Sequence, residues 1–186
     1  KTQIYKNKKI FFSDHKEILK AINFKNKKLF NDKRLNIIQD QIKYLPKGLK
    51  FNNVSINSKN IKKNDVFFAI KGKVHDGSFF LDEVNKKKSS LMVTHKINKR
   101  ISSKRQLKVK DTLKFLTKCA SDYRDIVDTI IIGITGSCGK TTLKELLGKT
   151  LKKITKAYFS PKSFNNKYGV PLSLFNLKQN NRFGIF

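Results

Sequence analysis

Ten consecutive residues in the second half of the chain combine glycines, a lysine and two threonines in an order that could hold phosphate. They span 133–142 and read GITGSCGKTT. Gly136 and Gly139 would let backbone N–H groups turn toward an anion. The Lys140 ammonium would add a full positive charge, and the Thr141 hydroxyl could hold Mg²⁺. The chemistry predicted for this segment is the binding of a nucleoside triphosphate.

Such a loop works only between a strand and a helix, because the helix N-terminus contributes partial positive charge to the phosphate site. Residues 129–132 are β-branched throughout, as expected of a buried parallel strand. Leucines then recur at helical spacing at Leu143, Leu146, Leu147 and Leu151. One departure from the usual phosphate-loop pattern is Ile134, where glycine is expected. The strand–loop–helix context supports the prediction despite this departure.

This interpretation defines a set of site residues. ATP and Mg²⁺ are the predicted cofactors, Lys140 and Thr141 the predicted catalytic residues, and Thr141 the predicted metal ligand. The predicted ATP-binding residues are Gly136, Ser137, Cys138, Gly139, Lys140, Thr141 and Thr142.

The composition indicates a folded protein of one or two small domains. The chain has 186 residues, of which 38% are hydrophobic, with 15 phenylalanines to build cores. No apolar run reaches the roughly 20 residues that a membrane-spanning helix needs. No signal-peptide core follows the basic N-terminus. We therefore expect a cytoplasmic protein without a membrane span.

The net charge of +29 would ordinarily suggest a nucleic-acid partner. The positive residues are mostly lysines spread along the whole length beside abundant Asn, Ile and Phe, a joint bias that AT-rich codons would produce. No aromatic and basic RNA-binding signature is present, and lysine runs such as 86–88 are typical of solvated helix ends. We expect no specific nucleic-acid partner.

The cysteines and histidines favour neither a disulfide framework nor a metal site. Cys119 falls in a predicted helix and Cys138 in the phosphate loop, so both are expected to be free thiols. His15, His75 and His95 are isolated from one another and from cysteine, which predicts ordinary surface or packing roles.

The rest of the chain divides into three predicted parts. Residues 1–50 are highly charged and of unclear fold, with possible helices at 14–22 and 33–44. Residues 51–107 are predicted to form a small α/β unit ending in a linker at 96–108. Its expected elements are strands near 54–56, 65–70 and 91–93 and a helix at 79–87. Residues 108–186 are predicted to form the nucleotide-binding domain, starting with a helix capped by Asp111.

Three stretches together resemble the Mur ligase family. The segments 55–59, 63–69 and 71–77 are similar to the family's uridine-nucleotide-binding motifs, usually S-x-D-S-R, P-G-D-L-F-x-A and K-G-x-x-x-D-G. This chain has Asn57, Lys59 and Asn64 where the family usually has Asp, Arg and Gly. Lysine keeps the charge of arginine but lacks its planar fork of donors.

The other two stretches strengthen the resemblance. Residues 133–142 are similar to the family's own phosphate loop, G-x-T-G-S-x-G-K-T, whose early glycine lies at Gly133 and explains Ile134. Residues 164–174 resemble N-N-x-x-G-x-P-L-T-L, which marks the MurF branch. Asn-Asn followed by Gly and Pro is also ordinary loop and helix-start chemistry.

The resemblance implies an α/β fold, in which a small N-terminal UDP-binding domain precedes the start of a parallel-sheet P-loop ATPase domain. It implies an ATP-dependent peptide ligase of peptidoglycan synthesis, whose substrates are UDP-N-acetylmuramoyl-tripeptide and D-alanyl-D-alanine and whose intermediate is an acyl phosphate. Ser58 and Lys59 would bind the uridine nucleotide, and Asn165 and Asn166 would lie in the substrate and metal region. A monomer is expected.

Two alternatives and one restriction accompany this hypothesis. Another ligase of the superfamily, tripeptide-forming or folylpolyglutamate-type, would share the phosphate loop. A basic P-loop module acting on nucleic acid would explain the loop and the charge, but not segments 55–77. Because the family continues beyond residue 186 into an acidic magnesium-binding segment, we expect these 186 residues to be a truncated form without ligase turnover.

Overall fold

The computed structural model describes residues 9–10, 44–72, 74–161, 164 and 166–186. The helices expected at 14–22 and 33–44 lie outside this part of the chain, apart from Tyr44. The described residues form two four-stranded sheets in which every strand pair is parallel. The α/β class expected from the sequence is therefore confirmed.

The first sheet has the strand order β2-β3-β4-β5. Its strands are β2 Val54–Ser55, β3 Val66–Phe68, β4 Leu91–Thr94 and β5 Gln106–Lys108. Helix α1, Leu81–Lys86, follows a 3-10 turn at Gly77–Phe80 and connects β3 to β4. Both central strands are fully buried, as their continuous apolar sequence predicts.

The linker expected at 96–108 is wrong in part, because its last three residues form β5, paired with β4. This stretch lacks apolar periodicity because polar side chains bond to its backbone. Gln106 is buried, and its amide nitrogen donates to the Asn98 and Ile101 carbonyls at 3.0 and 2.8 Å. The Arg105 guanidinium donates to the Ser89 carbonyl at 2.6 Å. The division of the chain into domains stays a prediction.

The second sheet has the order β1-β6-β8-β7. Its strands are β1 Lys9–Ile10, β6 Ile130–Ile132, β7 Ala157–Phe159 and β8 Phe183–Ile185. Three helices accompany it: α2 Thr112–Ile126, α3 Lys140–Ile154 and α4 Gly169–Phe175. No helix among the described residues is both long and apolar enough to cross a membrane.

Side-chain alternation along these strands places the helices on opposite faces of the second sheet. Ile132 packs with Leu147 and Leu151 of α3, whereas Ile131 packs in the cluster that contains α2 and α4. Helix α2 starts as expected, with the Asp111 carboxylate accepting from the backbone N–H groups of residues 113 and 114 at 3.0 and 2.9 Å. The phosphate-loop strand β6 is thus covered on both faces.

Helices α2 and α4 also cover the first sheet, so one hydrophobic core joins the two sheets. Phe68 of β3 lies 6.1 Å from Phe175 of α4, centroid to centroid, and Leu116 of α2 is buried in the same cluster. The Asn176 side chain completes the link, accepting from the Val54 N–H at 2.7 Å and donating to the Val54 carbonyl at 2.8 Å. The positions of the two sheets are therefore coupled through shared packing.

Candidate nucleotide and uridine sites

The predicted phosphate loop connects β6 to α3. The strand ends at Ile132, and the helix begins at Lys140. Residues 135–139 between them are exposed to solvent. Strand β6 lies between β1 and β8, so the loop projects from the carboxyl end of an interior strand. In open parallel sheets, ligands bind at this end.

Two glycines of the loop adopt backbone conformations that other residues rarely take. Gly136 has φ 150° and Gly139 has φ 74°, in the left-handed region. Gly139 is the N-cap of α3, and no side chain caps the helix there. The free N–H groups of the first helical turn, which have no partner inside a helix, are therefore open to an external acceptor.

The Lys140 side chain folds back over the loop that precedes it. Its Nζ donates to the Gly136 carbonyl and, at 3.1 Å, to the Ser137 carbonyl. These contacts hold the ammonium at the loop instead of letting it extend into solvent. A cation, a helix N-terminus and flexible glycines thus meet within one short segment, as the sequence predicts.

The remaining groups of the loop suit a phosphate and a magnesium ion. The first turn of α3 contains no acidic residue that would repel an anion. Ser137, Cys138, Thr141 and Thr142 are all exposed. No group of three or more His, Cys, Asp or Glu residues that could hold a metal is present in the described part of the chain. In this arrangement, Thr141 would hold Mg²⁺ together with the phosphate oxygens of the nucleotide.

Lys144 is a residue of this region that the sequence reading missed. It lies one helical turn after Lys140, is 5% exposed, and donates from Nζ to the Ser160 hydroxyl at 3.2 Å. Burial lowers its pKa, while the neighbouring Glu145 carboxylate opposes that shift. Lys144 therefore connects α3 to the segment after β7, which leads toward Asn166. No signal in the sequence could have identified it, because its partner Ser160 lies 16 residues further along the chain.

The predicted uridine-binding residues lie in a 3-10 turn, Ser58–Asn60, just beyond the carboxyl end of β2. Asn57 caps the turn by accepting from the Lys59 N–H at 3.0 Å. Lys59 is exposed, whereas Ser58 is buried, with its hydroxyl donating to Glu83 Oε2 at 3.0 Å. The turn thus presents Lys59 outward and holds Ser58 inward. Whether either residue binds uridine stays a prediction.

The partners of this turn, which lie on α1 and at the residue just after it, were not identified from the sequence. Lys87, expected to be a solvated helix end, instead donates from Nζ to the Ser58 carbonyl at 2.8 Å, the Lys59 carbonyl at 3.2 Å and Glu83 Oε1 at 2.9 Å. That expectation was wrong because the helix end packs beside the turn 28 residues earlier in the chain. Bonds from Lys87 and then Ser58 hold the pKa of the Glu83 carboxyl below its usual value.

Of the two asparagines predicted near the substrate, Asn165 lies outside the described residues. Asn166 is exposed, and its Oδ1 accepts from the N–H groups of Tyr168 at 3.0 Å and Gly169 at 2.8 Å. These bonds satisfy donors at the start of α4, as capping residues do. A local capping role for Asn166 is thus observed, and a role at the substrate stays a prediction.

His95 follows β4 and contacts Asp76, with 3.2 Å between its Nε2 and Oδ2 of the carboxylate. Burial alone would raise the pKa of Asp76, but the hydrogen bonds from Ser78 and the charges of His95 and Lys71 outweigh it, so the pKa is lowered. His95 is therefore a packing residue with a carboxylate partner. Its other ring nitrogen, Nδ1, is buried without a hydrogen bond.

A groove of about 450 Å³ lies beside the first residue of the loop, Gly133, between α2 and α4. Its walls are mostly apolar and include Ala120, Ile131 and Leu174. Arg124 and Asp125 are charged residues that also line it. None of the predicted nucleotide or uridine residues lines this groove.

Comparison with known proteins identifies the family. Residues 134–186 match the family model of the Mur ligase middle domain. The UDP-N-acetylmuramoyl-tripeptide–D-alanyl-D-alanine ligase of Synechocystis sp. is 30% identical over 142 residues, which are 76% of this chain and 31% of that protein. The enzyme of the same name from Buchnera aphidicola subsp. Acyrthosiphon pisum is 33% identical over 138 residues, which are 74% of this chain and 30% of that protein.

This chain belongs to the Mur ligase family. The crystal structure of the Thermotoga maritima MurF ligase in complex with ADP has 31% identity and a TM-score of 0.61, covering 75% of this chain and 32% of that one. The Mur ligase resemblance inferred from motifs is therefore confirmed. The chain spans about a third of the length of the curated Mur ligase relatives it matches.

Proposed function

We propose that this Mur ligase chain belongs to an ATP-dependent enzyme that joins D-alanyl-D-alanine to UDP-N-acetylmuramoyl-tripeptide. The names of the two curated relatives support the substrates, and the ADP complex of the Thermotoga maritima protein supports ATP as the nucleotide. The observation that carries the proposal is the arrangement of Lys140 over the glycine loop at the start of α3. Because the reaction consumes ATP, we place it in the cytoplasm.

The residues of this chain would contribute binding and electrostatics. The N–H groups of residues 136–142 would bind the β- and γ-phosphates, and the Lys140 ammonium would stabilise charge on the transferred phosphoryl group. Magnesium, held through Thr141, would neutralise phosphate charge. The tripeptide carboxylate would accept the γ-phosphoryl group of ATP, which releases ADP and forms an acyl phosphate. The amine of D-alanyl-D-alanine would then attack the acyl carbon, which forms the amide and releases inorganic phosphate.

The uridine end of the substrate would bind at the carboxyl edge of the first sheet. Lys59 is the exposed cation of the turn beyond β2, and its charge suits the diphosphate of a UDP-sugar. The sheet packs on α2 and α4, which also flank β6 and the phosphate loop. This packing would keep the phosphate loop and the turn beyond β2 at a fixed distance and orientation during the reaction.

Calorimetric titration with Mg-ATP tests the nucleotide part of the proposal. Lys140→Ala should weaken binding at least about tenfold, since it removes the cation of the loop. Lys153→Ala, at the exposed far end of the same helix, removes an equal charge and should leave the affinity within about twofold. Equal losses of affinity in the two variants would show that binding depends only on the net charge of the protein, and they would contradict the proposed site.

A second titration with UDP-N-acetylmuramoyl-tripeptide tests the substrate. We expect binding that Lys59→Ala weakens and that Lys140→Ala leaves unchanged. Tighter binding of the UDP-muramoyl-dipeptide than of the tripeptide would favour a tripeptide-forming ligase of the same family instead.

A further inference from the structure

Glu83 of α1 and Lys87, the residue that follows the helix, contact the turn that is expected to bind the uridine nucleotide. We propose that this pair positions the turn, so that Lys59 alone supplies the side-chain contact to the diphosphate while Ser58 serves as an anchor. This inference rests on the proposed function, since it assigns roles within the same uridine site. It adds two residues that lie 25 to 29 positions away in the sequence.

All the N–H donors of the Lys87 ammonium are hydrogen-bonded to acceptors within the protein. An ammonium has three N–H groups, and Lys87 Nζ has three acceptors: the carbonyl oxygens of Ser58 and Lys59, and Glu83 Oε1. Lys87 therefore has no remaining donor for a ligand. Its charge instead offsets the negative partial charges of two carbonyl groups that would otherwise repel a diphosphate.

Glu83 holds the same turn through a different atom. Its Oε2 accepts from the Ser58 hydroxyl at 3.0 Å, while its Oε1 accepts from Lys87 at 2.9 Å. The residue Ser58 is 7% exposed, so its hydroxyl is both buried and engaged. A hydroxyl in this position orients the backbone of the turn and is a poor candidate for direct contact with a ligand.

The spacing of Glu83 and Lys87 also favours an ion pair between them. Glu83 precedes Lys87 by four residues, the orientation in which helical ion pairs stabilise best. The side chains of Glu83 and Lys87 are 42% and 33% exposed, so an ion pair by itself would contribute little to stability. The additional bonds to Ser58 and Lys59 indicate that the pair acts on the turn more than on the helix.

The test is a calorimetric titration of the 186-residue chain with UDP at about 0.15 M salt, where exposed charges are largely screened. Lys87→Met should weaken UDP binding about tenfold, because the turn loses its restraint on Lys59. Lys86→Met is the matched control: this neighbouring side chain is exposed, and its loss changes the net charge equally. It should alter the affinity for UDP less than about twofold.

Two more variants separate positioning from general stability. Lys87→Arg keeps a cation with several donors and should restore part of the affinity, while Mg-ATP binding should be the same in every variant. Should Lys87→Met fail to fold, Glu83→Gln provides the comparison, with Asp82→Asn as its control on the same helix. Glu83→Gln should then weaken UDP binding and leave Mg-ATP binding intact.

Three results would overturn the inference. If Lys86→Met and Lys87→Met weaken UDP binding equally, the effect is one of charge and not of position. If Lys59→Ala abolishes UDP binding but Lys87→Met and Glu83→Gln do not affect it, the uridine site stands and the positioning role is wrong. If the unaltered chain does not bind UDP, the uridine part of the proposed function fails, and the positioning role with it.

Discussion

At the scale of single residues, Gly139 carries a strong conformational demand in the phosphate loop. Its φ of 74° lies in the left-handed region, and a Cβ built there would meet nothing within 4 Å. The cost of Gly139→Ala is therefore conformational and not steric, about 1 kcal/mol. We expect this variant to lose that much stability in urea unfolding and to bind Mg-ATP more weakly.

Gly133→Ala is the matched control for that substitution. A Cβ at Gly133 also meets nothing within 4 Å, but its backbone is outside the left-handed region. This variant should keep both its stability and its affinity for Mg-ATP. Equal effects in the two variants would mean that the left-handed cap is not what shapes the site.

The two cysteines should differ sharply in reactivity. Cys119 is buried, and burial raises the pKa of its thiol to about 12, whereas Cys138 lies exposed in the phosphate loop. At pH 8 in native buffer, iodoacetamide should modify Cys138 alone, and Mg-ATP should slow that reaction. Mass spectrometry after digestion reads out both sites.

The Cys119 thiol also predicts a dependence of stability on pH. The pKa of this thiol in the folded state, about 12, exceeds the ordinary value of 9.0. The stabilisation that comes from keeping the Cys119 thiol protonated is therefore complete below about pH 9 and declines as the pH rises toward 12. Cys119→Ala should remove this decline when the two proteins are compared by urea unfolding between pH 8 and 10.5. An identical pH dependence in both would contradict the assigned burial effect.

At the scale of elements, the start of α2 depends on Asp111. Its carboxylate accepts from two backbone N–H groups of the first turn, and the carboxylate charge also favours a helix N-terminus. Asp111→Ala should therefore lower the free energy of unfolding by about 1 kcal/mol. Asp111→Asn caps nearly as well and should recover most of the loss, as measured by urea unfolding monitored by circular dichroism.

Helix α3 shows what the spacing of apolar residues predicts correctly and what it does not. The helix was predicted from the leucines after Lys140, and it is confirmed at Lys140–Ile154. Its buried face, however, consists of Lys144, Leu147, Gly148 and Leu151, while Leu143 and Leu146 are 45% and 63% exposed. A buried lysine cannot be expected from periodicity, because its burial depends on a partner, Ser160, that only the fold brings close.

At the scale of the whole molecule, Asn176 couples the two sheets. Its side chain bonds to both backbone groups of Val54, on the open edge of β2, and also donates to the Leu172 carbonyl at 3.0 Å. Asn176→Ala should cost about 2 kcal/mol, because it leaves backbone groups of β2 without partners. Hydrogen exchange at the Val54 amide should accelerate in the same variant.

Asn60→Ala is the control for this effect, because Asn60 has an exposed side chain in the turn beyond β2. It should change the free energy of unfolding by less than about 0.5 kcal/mol. A comparable loss in Asn60→Ala would show that the loss in Asn176→Ala is not specific to the connection between the sheets.

Local chemistry determined the parts of this protein that the sequence could predict. The β-branched strand, the glycine loop, Lys140 and the Asp111 cap all depend on neighbours within a few residues, and each is observed where it was expected. The family motifs are equally local, which is why they were recognisable despite Asn57, Lys59 and Asn64. Short-range rules suffice for such features, since the interacting groups are adjacent in the chain.

Only the tertiary structure decided which distant residues complete each site. The pairing of β5 with β4 and the contacts of Lys87 with the Ser58 turn join segments separated by a dozen or more residues. Burial of Lys144 against Ser160 and the link between Asn176 and Val54 do the same. Polar residues in these contacts look like solvated surface in the sequence, because their hydrogen-bond partners are brought near them only when each sheet folds with its helices and, for Asn176, when the two sheets share α2 and α4.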